Sequence, residues 1–146
     1  MRQEKTLSQE KPEIKYDLSD EEIVRFSVAL ALEKKASEPL IIDLRQLNIF
    51  TEYFAILTIT NEKQAQNIYD SVCKILRELF NLKPSCKNAV VGEQWTLLDF
   101  GFFFLHLFHE DARKTYNLEE LWNKGRLIEI DEEKVRLEFF ELIKKT

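Results

Sequence analysis

The sequence predicts an α/β domain built around a mixed β-sheet, and three features lead to that prediction. Short apolar runs alternate with longer amphipathic segments through the first half of the chain, as strands alternate with helices. Two aromatic-rich runs then flank Gly101, which indicates an antiparallel hairpin. The chain has 146 residues, which is enough for one domain with a sizeable core. Together these patterns imply a sheet with both parallel and antiparallel pairs.

The first part of the chain is predicted to be a tail followed by a helix. Residues 1–17 mix charges of both signs and are expected to form a flexible tail. A helix is predicted to begin at Ser19, because the Ser-x-x-Glu spacing to Glu22 is that of a capping box. It is expected to end near Ser37, shortly before Pro39.

Two strands and a long helix are predicted next. Leu40–Leu44 is a short apolar run typical of a buried strand, and Tyr53–Thr60 is rich in aromatic and β-branched residues. Asn61 is a suitable helix cap. The helix that follows is the clearest amphipathic segment of the chain, with apolar positions at Ala65, Ile68, Tyr69, Val72, Ile75, Leu76 and Leu79. A short strand is expected around Asn88–Val91.

The second half of the chain is predicted to contain a hairpin and further helices. Trp95–Phe100 and Phe102–Phe108 form the hairpin, and Gly101 between them supplies the positive φ that a tight turn needs. Short helical turns are expected over Glu110–Trp122. A helix is predicted within residues 126–146, because one helix face would carry Val135, Phe139, Leu142 and Ile143. Packing on its own domain is expected, and an extra contact with a partner is the alternative.

The composition is that of a soluble globular protein, with 45% hydrophobic and 32% charged residues. No apolar run approaches the roughly 20 residues that cross a bilayer. The first residues lack the apolar stretch of a secretory signal, so a cytosolic location is expected. Cys73 and Cys86 form no CxxC pair and are expected to be free thiols in that compartment.

The formal net charge of −5 bears on the class of partner. Proteins that hold nucleic acid by its phosphates usually present a basic surface, whereas Lys and Arg form no cluster larger than a pair here. An acidic domain is better suited to a basic protein partner. Direct contact with RNA is therefore expected to be minor.

Candidates for metal or catalytic chemistry are few. His106 and His109 are three residues apart on a predicted strand, so they would point to opposite faces and cannot chelate one ion. The strand carboxylates Asp43 and Asp99 have no acidic neighbour at i±2, although nucleotidyl transfer gathers carboxylates around Mg²⁺. The chain's three glycines cannot form a phosphate-binding loop. We therefore expect no catalytic residue, no metal and no cofactor, and a hydrogen-bonded structural role for His106.

The stretch from Trp95 to Trp122 carries a longer pattern. It reads Trp-x-Leu-Leu-Asp-x-Gly, then a strand ending in His-x-Phe-His, then Ala-Arg-x-x-Tyr-x-Leu-x-x-Leu-Trp. This ordered series resembles the ribosomal silencing factor RsfS, or Iojap-related, family. Leu40–Arg45 and Thr51–Ile56 are similar to the first two strands of that family, so the resemblance covers roughly residues 22–122. The residues that carry the pattern are Trp95, Leu97, Leu98, Asp99, Gly101, His106, Phe108, His109, Ala112, Arg113, Tyr116, Leu118, Leu121 and Trp122.

The resemblance implies a mixed sheet of about five strands covered by helices, with a nucleotidyltransferase-like topology. It divides the chain into the tail at 1–17, an RsfS/Iojap-like domain at 18–125 and a C-terminal helical extension at 126–146. The function it implies is that of a ribosomal silencing factor. Such a protein binds the large ribosomal subunit through the basic ribosomal protein fourteen and sterically blocks joining of the small subunit, which represses translation without catalysis.

Composition alone leaves Trp95 equally open to a core role and to an interface role, since Trp is enriched at the energetic centres of protein interfaces. In the family this strand region docks on the ribosomal protein, so the resemblance favours the interface. Alternation places Trp95, Leu97 and Asp99 on one face of their strand. With Phe102 and Phe104 across the turn they form the predicted partner-binding site, in which the aromatic rings supply buried area and Asp99 pairs with Lys or Arg.

Two other functions stay open at this stage. A large-subunit assembly factor would use the same contact at a different time, and a divergent nucleotidyltransferase is suggested by fold analogy alone. The oligomeric state is also open, a homodimer included.

Overall fold

A computed structural model of the protein describes residues 16–84, 90–92 and 94–144. Nearly all of the predicted tail lies outside these ranges, as does Cys86. Within them no helix is long and apolar enough to cross a membrane. The elements in chain order are α1 (Asp20–Glu33), β1 (Ser37–Asp43), a 3₁₀ turn (Arg45–Leu47), β2 (Tyr53–Ile59), α2 (Glu62–Phe80), β3 (Val90–Gly92), β4 (Trp95–Asp99), β5 (Phe103–His109), α3 (Glu110–Tyr116), α4 (Leu118–Leu121), β6 (Arg126–Glu129), α5 (Glu132–Glu138) and α6 (Phe140–Lys144).

The strands of the described ranges form one mixed sheet of six, in the order β3-β4-β5-β2-β1-β6. β2 and β5 pair in parallel at its centre, and the other neighbours are antiparallel. The predicted α/β fold with a mixed sheet is therefore confirmed. The strand that was not predicted is β6, which lies at one edge and pairs with β1 from Leu40 opposite Glu129 to Asp43 opposite Arg126.

One face of the sheet, which we call the helix face, is covered by α1, α2 and α5. Phe26, Val72 and Val135 of these helices are buried in one apolar core. The opposite face, which we call the aromatic face, is covered by shorter segments, namely residues 44–50, α3 and α4, around a second, smaller core. The long helices thus protect one side of the sheet more completely than the other.

The predicted helix caps are present. The Ser19 hydroxyl accepts from the Glu22 amide at 3.2 Å, and the Glu22 carboxylate accepts from the Ser19 amide at 2.8 Å, which is a capping box. The Asn61 side chain accepts from the Gln64 amide at 2.8 Å at the start of α2. Asn81 ends α2 in the left-handed region with a φ of 57°.

The predicted hairpin is confirmed as β4 and β5, and its turn is fixed by specific contacts. Gly101 has a φ of +89°, a conformation that side chains disfavour. Its amide donates to Asp99 Oδ1 at 2.8 Å, and its carbonyl accepts from the Thr51 hydroxyl at 2.9 Å. Asp99 therefore has a structural role in the turn in addition to its charge.

The C-terminal segment forms two short helices where one was predicted. The break falls at Phe139, which is the C-cap of α5 and is followed by α6. Val135 and Phe139 are buried in the helix-face core, and Arg136 Nη2 donates to the Leu32 carbonyl at 2.7 Å. Arg25 also pairs with Glu138. These contacts explain why the extension packs on its own domain.

Candidate interaction surface

Four of the five residues predicted to bind a partner lie on the aromatic face. In the hairpin register Trp95 is opposite Phe108, and Asp99 is opposite Phe104. Because side chains alternate along strands, Trp95, Leu97, Asp99 and Phe104 all point to this face. Phe102 does not join them, because its side chain packs against the helix-face core.

Aromatic rings form two connected clusters on this face. In the first, Phe54 stacks on Phe104 with centroids 5.8 Å apart, and Trp122 meets Phe54 edge-on at 5.7 Å. Phe50 completes it, 5.4 Å from Phe104. In the second, Trp95 lies 5.0 Å from Phe108 and 4.8 Å from Tyr116. His106 joins the two, since its ring is 4.6 Å from that of Phe54.

Much of this apolar surface is accessible to solvent. Trp95, Leu97 and Phe104 are half-buried, whereas Phe50 is 61% exposed. Among the described residues the exposed large apolar side chains fall into two groups. Those on the aromatic face or its covering segments are Phe50, Tyr116, Leu121 and Leu127, and those on the C-terminal helices are Leu137 and Phe140. Exposed apolar residues that adjoin a cluster of rings, as Phe50 and Tyr116 do, mark an interaction site more often than scattered residues do.

His106 is the polar centre of the aromatic face. It is only 3% exposed, and burial lowers its pKa to about 3, so the ring is neutral at physiological pH. Nδ1 accepts from Trp95 Nε1 at 3.1 Å, whereas Nε2 has no hydrogen-bond partner within the described residues. The hydrogen bonding expected for a structural histidine is therefore present at Nδ1 and missing at Nε2. A buried polar group without a partner typically costs about 1–3 kcal/mol.

The residues considered for metal or transferase chemistry are spread over the sheet. His106 is on the aromatic face, and His109 ends β5 at the N-cap position of α3, without a capping hydrogen bond from its side chain. Asp43 is opposite Tyr53 and so lies on the helix face, where it accepts from Arg45 and Arg126. These arginines hold the pKa of its carboxyl well below the usual range. In the described ranges no group of three or more His, Cys, Asp or Glu is placed to hold a metal ion.

The thiol of Cys73 is half-buried on α2. Burial raises its pKa to about 11, so it is protonated at neutral pH. A protonated, half-buried thiol is a poor nucleophile.

Arg113 fixes the helices that border the aromatic face. Its guanidinium donates to the Thr58 hydroxyl at 2.9 Å and to the Glu38 carbonyl, and it lies 3.5 Å from the Glu119 carboxylate. These contacts join α3 and α4 to β1 and β2. Tyr116, at the end of α3, is thereby held over Trp95.

Sequence reasoning missed two exposed aromatic residues of this surface. Phe50 lies in the connection between β1 and β2, and Tyr116 lies at the end of a short helix. Neither position belongs to a periodic pattern, so only their places in the fold show that they extend the surface. Trp122 packs in the first cluster, against Phe50 and Phe54.

Comparison with known proteins agrees with the architecture. The family model described as ribosomal silencing factor during starvation matches residues 17–141. A ribosomal silencing factor RsfS of Halalkalibacterium halodurans is 27% identical over 114 residues, which cover 78% of this chain and 97% of that protein. The chloroplastic Iojap protein of Zea mays is 33% identical over 114 residues, covering 76% of this chain and 49% of that protein.

A solved structure gives the same result. A protein from Bacillus halodurans superposes with a TM-score of 0.61 at 27% identity, covering 76% of this chain and 100% of that chain. Since the family model spans most of the sequence, this chain belongs to the RsfS family of ribosomal silencing factors.

Proposed function

We propose that this protein is a non-enzymatic repressor of translation that acts in the cytosol. It binds the large ribosomal subunit through ribosomal protein fourteen and blocks joining of the small subunit. Membership of the ribosomal silencing factor family supports the class of target. We infer that the aromatic face is the binding surface, because half-buried Trp95, Leu97 and Phe104 lie there beside exposed Phe50.

The aromatic face has the features of an interface centre. Tryptophan is enriched among the residues that contribute most to binding, and such residues lie in packed surroundings that exclude water. Trp95 is already held by Phe108 and Tyr116 in the free protein. Little side-chain entropy is then lost on binding, which favours affinity.

The charge of α3 and α4, the helices that border the aromatic face, suits a basic partner. α3 and α4 begin with acidic residues, namely Glu110, Asp111, Glu119 and Glu120. Arg113 and Glu119 pair with each other, so Glu110, Asp111 and Glu120 remain against the single cation Lys114 in these two helices. An acidic border steers a basic protein to the face and disfavours the phosphates of ribosomal RNA.

Repression by steric exclusion needs no chemistry from this chain. The bound domain occupies the surface that the small subunit must contact, so the binding free energy determines the extent of inhibition. A family member that assists large-subunit assembly would use the same contact. Order of addition separates the two roles, because a silencing factor inhibits joining when added to mature large subunits.

The proposal is tested by the affinity of purified ribosomal protein fourteen for two lysine variants, measured by calorimetry. Leu97→Lys places a cation in the centre of the aromatic face, and we expect affinity to fall at least about tenfold, or about 1.4 kcal/mol. Leu97 is half-buried, so the new ammonium can still reach water and the fold is kept. Leu137→Lys, at a leucine 67% exposed on α5, is the matched control and should bind as the wild type does. Equal affinity for both variants would place the contact elsewhere.

A further inference from the structure

The hydrogen bond between Trp95 and His106 is the feature that the proposed function leaves unexplained. The indole donates through Nε1 to His106 Nδ1 at 3.1 Å, within a cluster that is otherwise built from ring contacts. His106 is opposite Leu97 on the neighbouring strand, directly behind the surface. An apolar residue at this position would fill the space beside Phe54 and Phe108 but could not accept this hydrogen bond.

The protonation of His106 follows from this contact. A neutral imidazole that accepts at Nδ1 carries its proton on Nε2. Nε2 is buried and has no hydrogen-bond partner among the residues that the structure describes. The ring therefore leaves one polar atom unpaired while it offers the other to Trp95. This arrangement is unfavourable for stability, and the one hydrogen bond that the ring makes acts on the indole.

The ring contacts of Trp95 do not by themselves define which way the indole faces. Phe108 and Tyr116 pack on it with interplanar angles of 33° and 45°, and an indole turned over about its Cβ–Cγ bond presents similar flat surfaces to both. The hydrogen bond distinguishes the two orientations, because only one of them directs Nε1 to His106. Burial keeps the acceptor unprotonated, since the pKa of His106 is about 3.

We propose that His106 is a positioning residue that fixes the orientation of the Trp95 indole on the aromatic face for docking on the ribosomal partner. The inference rests on the proposed function, because the affinity that it explains is that for the ribosomal protein. His106 makes no contact with the partner and acts through Trp95.

Two variants of nearly equal size test the inference. His106→Asn retains an acceptor oxygen close to the position of Nδ1, whereas His106→Leu has the same shape and no acceptor. Both lose the ring contact with Phe54. Asn also buries an amide NH₂, so it should lower the melting temperature more than Leu does. If His106 served only the fold, affinity would follow stability, and Asn would be the weaker binder.

The positioning role predicts the opposite order. His106→Leu should bind purified ribosomal protein fourteen about fivefold to tenfold more weakly than the wild type, the scale of one hydrogen bond, and His106→Asn should bind within about twofold. In a Trp95→Phe background, where the donor is absent, the two variants should bind alike. Affinity that follows the melting temperature, or an effect of His106→Leu that persists in that background, would overturn the inference.

The free protein gives a readout that does not need the partner. The indole N–H resonance of Trp95 in ¹H–¹⁵N NMR should shift on His106→Leu and remain near its wild-type position on His106→Asn. An unchanged resonance in His106→Leu rejects the positioning role even if the wild type binds the ribosomal protein as proposed. A shifted resonance in a protein whose wild type fails to bind the ribosomal protein rejects the proposed function instead.

Discussion

Trp95 combines the two roles that its residue type suggests. Its indole packs on Phe108 and beneath Tyr116 and donates to His106, as a core residue would, yet it is only half-buried on the aromatic face. A residue held in this way is available to a partner without losing much freedom on binding. Its truncation should therefore affect binding and stability to different extents.

We expect Trp95→Ala to weaken binding to ribosomal protein fourteen by at least about 2 kcal/mol, or roughly thirtyfold. The free energy of unfolding should fall by less than the roughly 3–5 kcal/mol that a fully buried tryptophan contributes, because part of the indole is exposed in the free protein. Calorimetric titration and urea unfolding of the same preparation measure the two effects. A variant that unfolds far more easily but binds normally when folded would show that Trp95 is a core residue.

The buried imidazole predicts a pH effect on stability. His106 has a pKa of about 3 in the folded protein and of about 6.5 when unfolded. Because the folded value is the lower one, its contribution to stability is complete above about pH 6.5 and is lost as the pH falls toward 3. Between pH 7 and pH 5 the wild type should lose about 2 kcal/mol that His106→Leu retains. Urea unfolding at both pH values measures the difference, and parallel losses in the two proteins would mean that the imidazole is not buried as described.

At the scale of elements, local signals predicted most of the sheet. Capping residues located α1 and α2, and Gly101 between aromatic runs located the hairpin, because each of these depends on neighbours in sequence. β6 forms only by pairing with β1, which lies more than eighty residues earlier in the chain. Arg126 of β6 donates to Asp43 of β1, for example. Its sequence Arg-Leu-Ile-Glu lacks the alternation of a half-buried strand, so the local pattern could not reveal it.

The candidate surface was also predicted where neighbours in sequence decide the direction of a side chain, and not where the tertiary structure decides it. Alternation along β4 correctly grouped Trp95, Leu97 and Asp99 on one face, and Phe104 of β5, which is opposite Asp99, lies on the same face. Phe102 lies in the turn, outside the strand, where alternation no longer determines direction, and its side chain packs on the helix face. For such residues the tertiary structure is needed.

The entry into β6 offers a test of its packing on β1. A Cβ added to Gly125 would lie 2.6 Å from Ile42 Cγ2 and 2.9 Å from Leu44 Cδ2. Both side chains are fully buried, so they have little room to move. We expect Gly125→Ala to lower the free energy of unfolding by about 1–3 kcal/mol, the usual cost of overpacking. Urea unfolding measures it, with exposed Lys124→Ala as the control, and a variant as stable as the wild type would contradict this packing.

The whole molecule presents two unlike sides. α1, α2 and α5 close the helix face, whereas the aromatic face offers exposed rings within an acidic border. Phe50 is 61% exposed on the aromatic side, and Phe140 is 55% exposed on the C-terminal helices. Their similar exposure makes Phe50→Ala and Phe140→Ala a matched pair for deciding which side meets the ribosome.

The most direct test is sucrose-gradient sedimentation of purified large and small subunits mixed with this protein. We expect the wild type and Phe140→Ala to sediment with free large subunits and to reduce the joined ribosome peak. Phe50→Ala should do both more weakly, because it removes a ring from the first aromatic cluster. Sedimentation of the protein with joined ribosomes, with no loss of their peak, would contradict repression by steric exclusion.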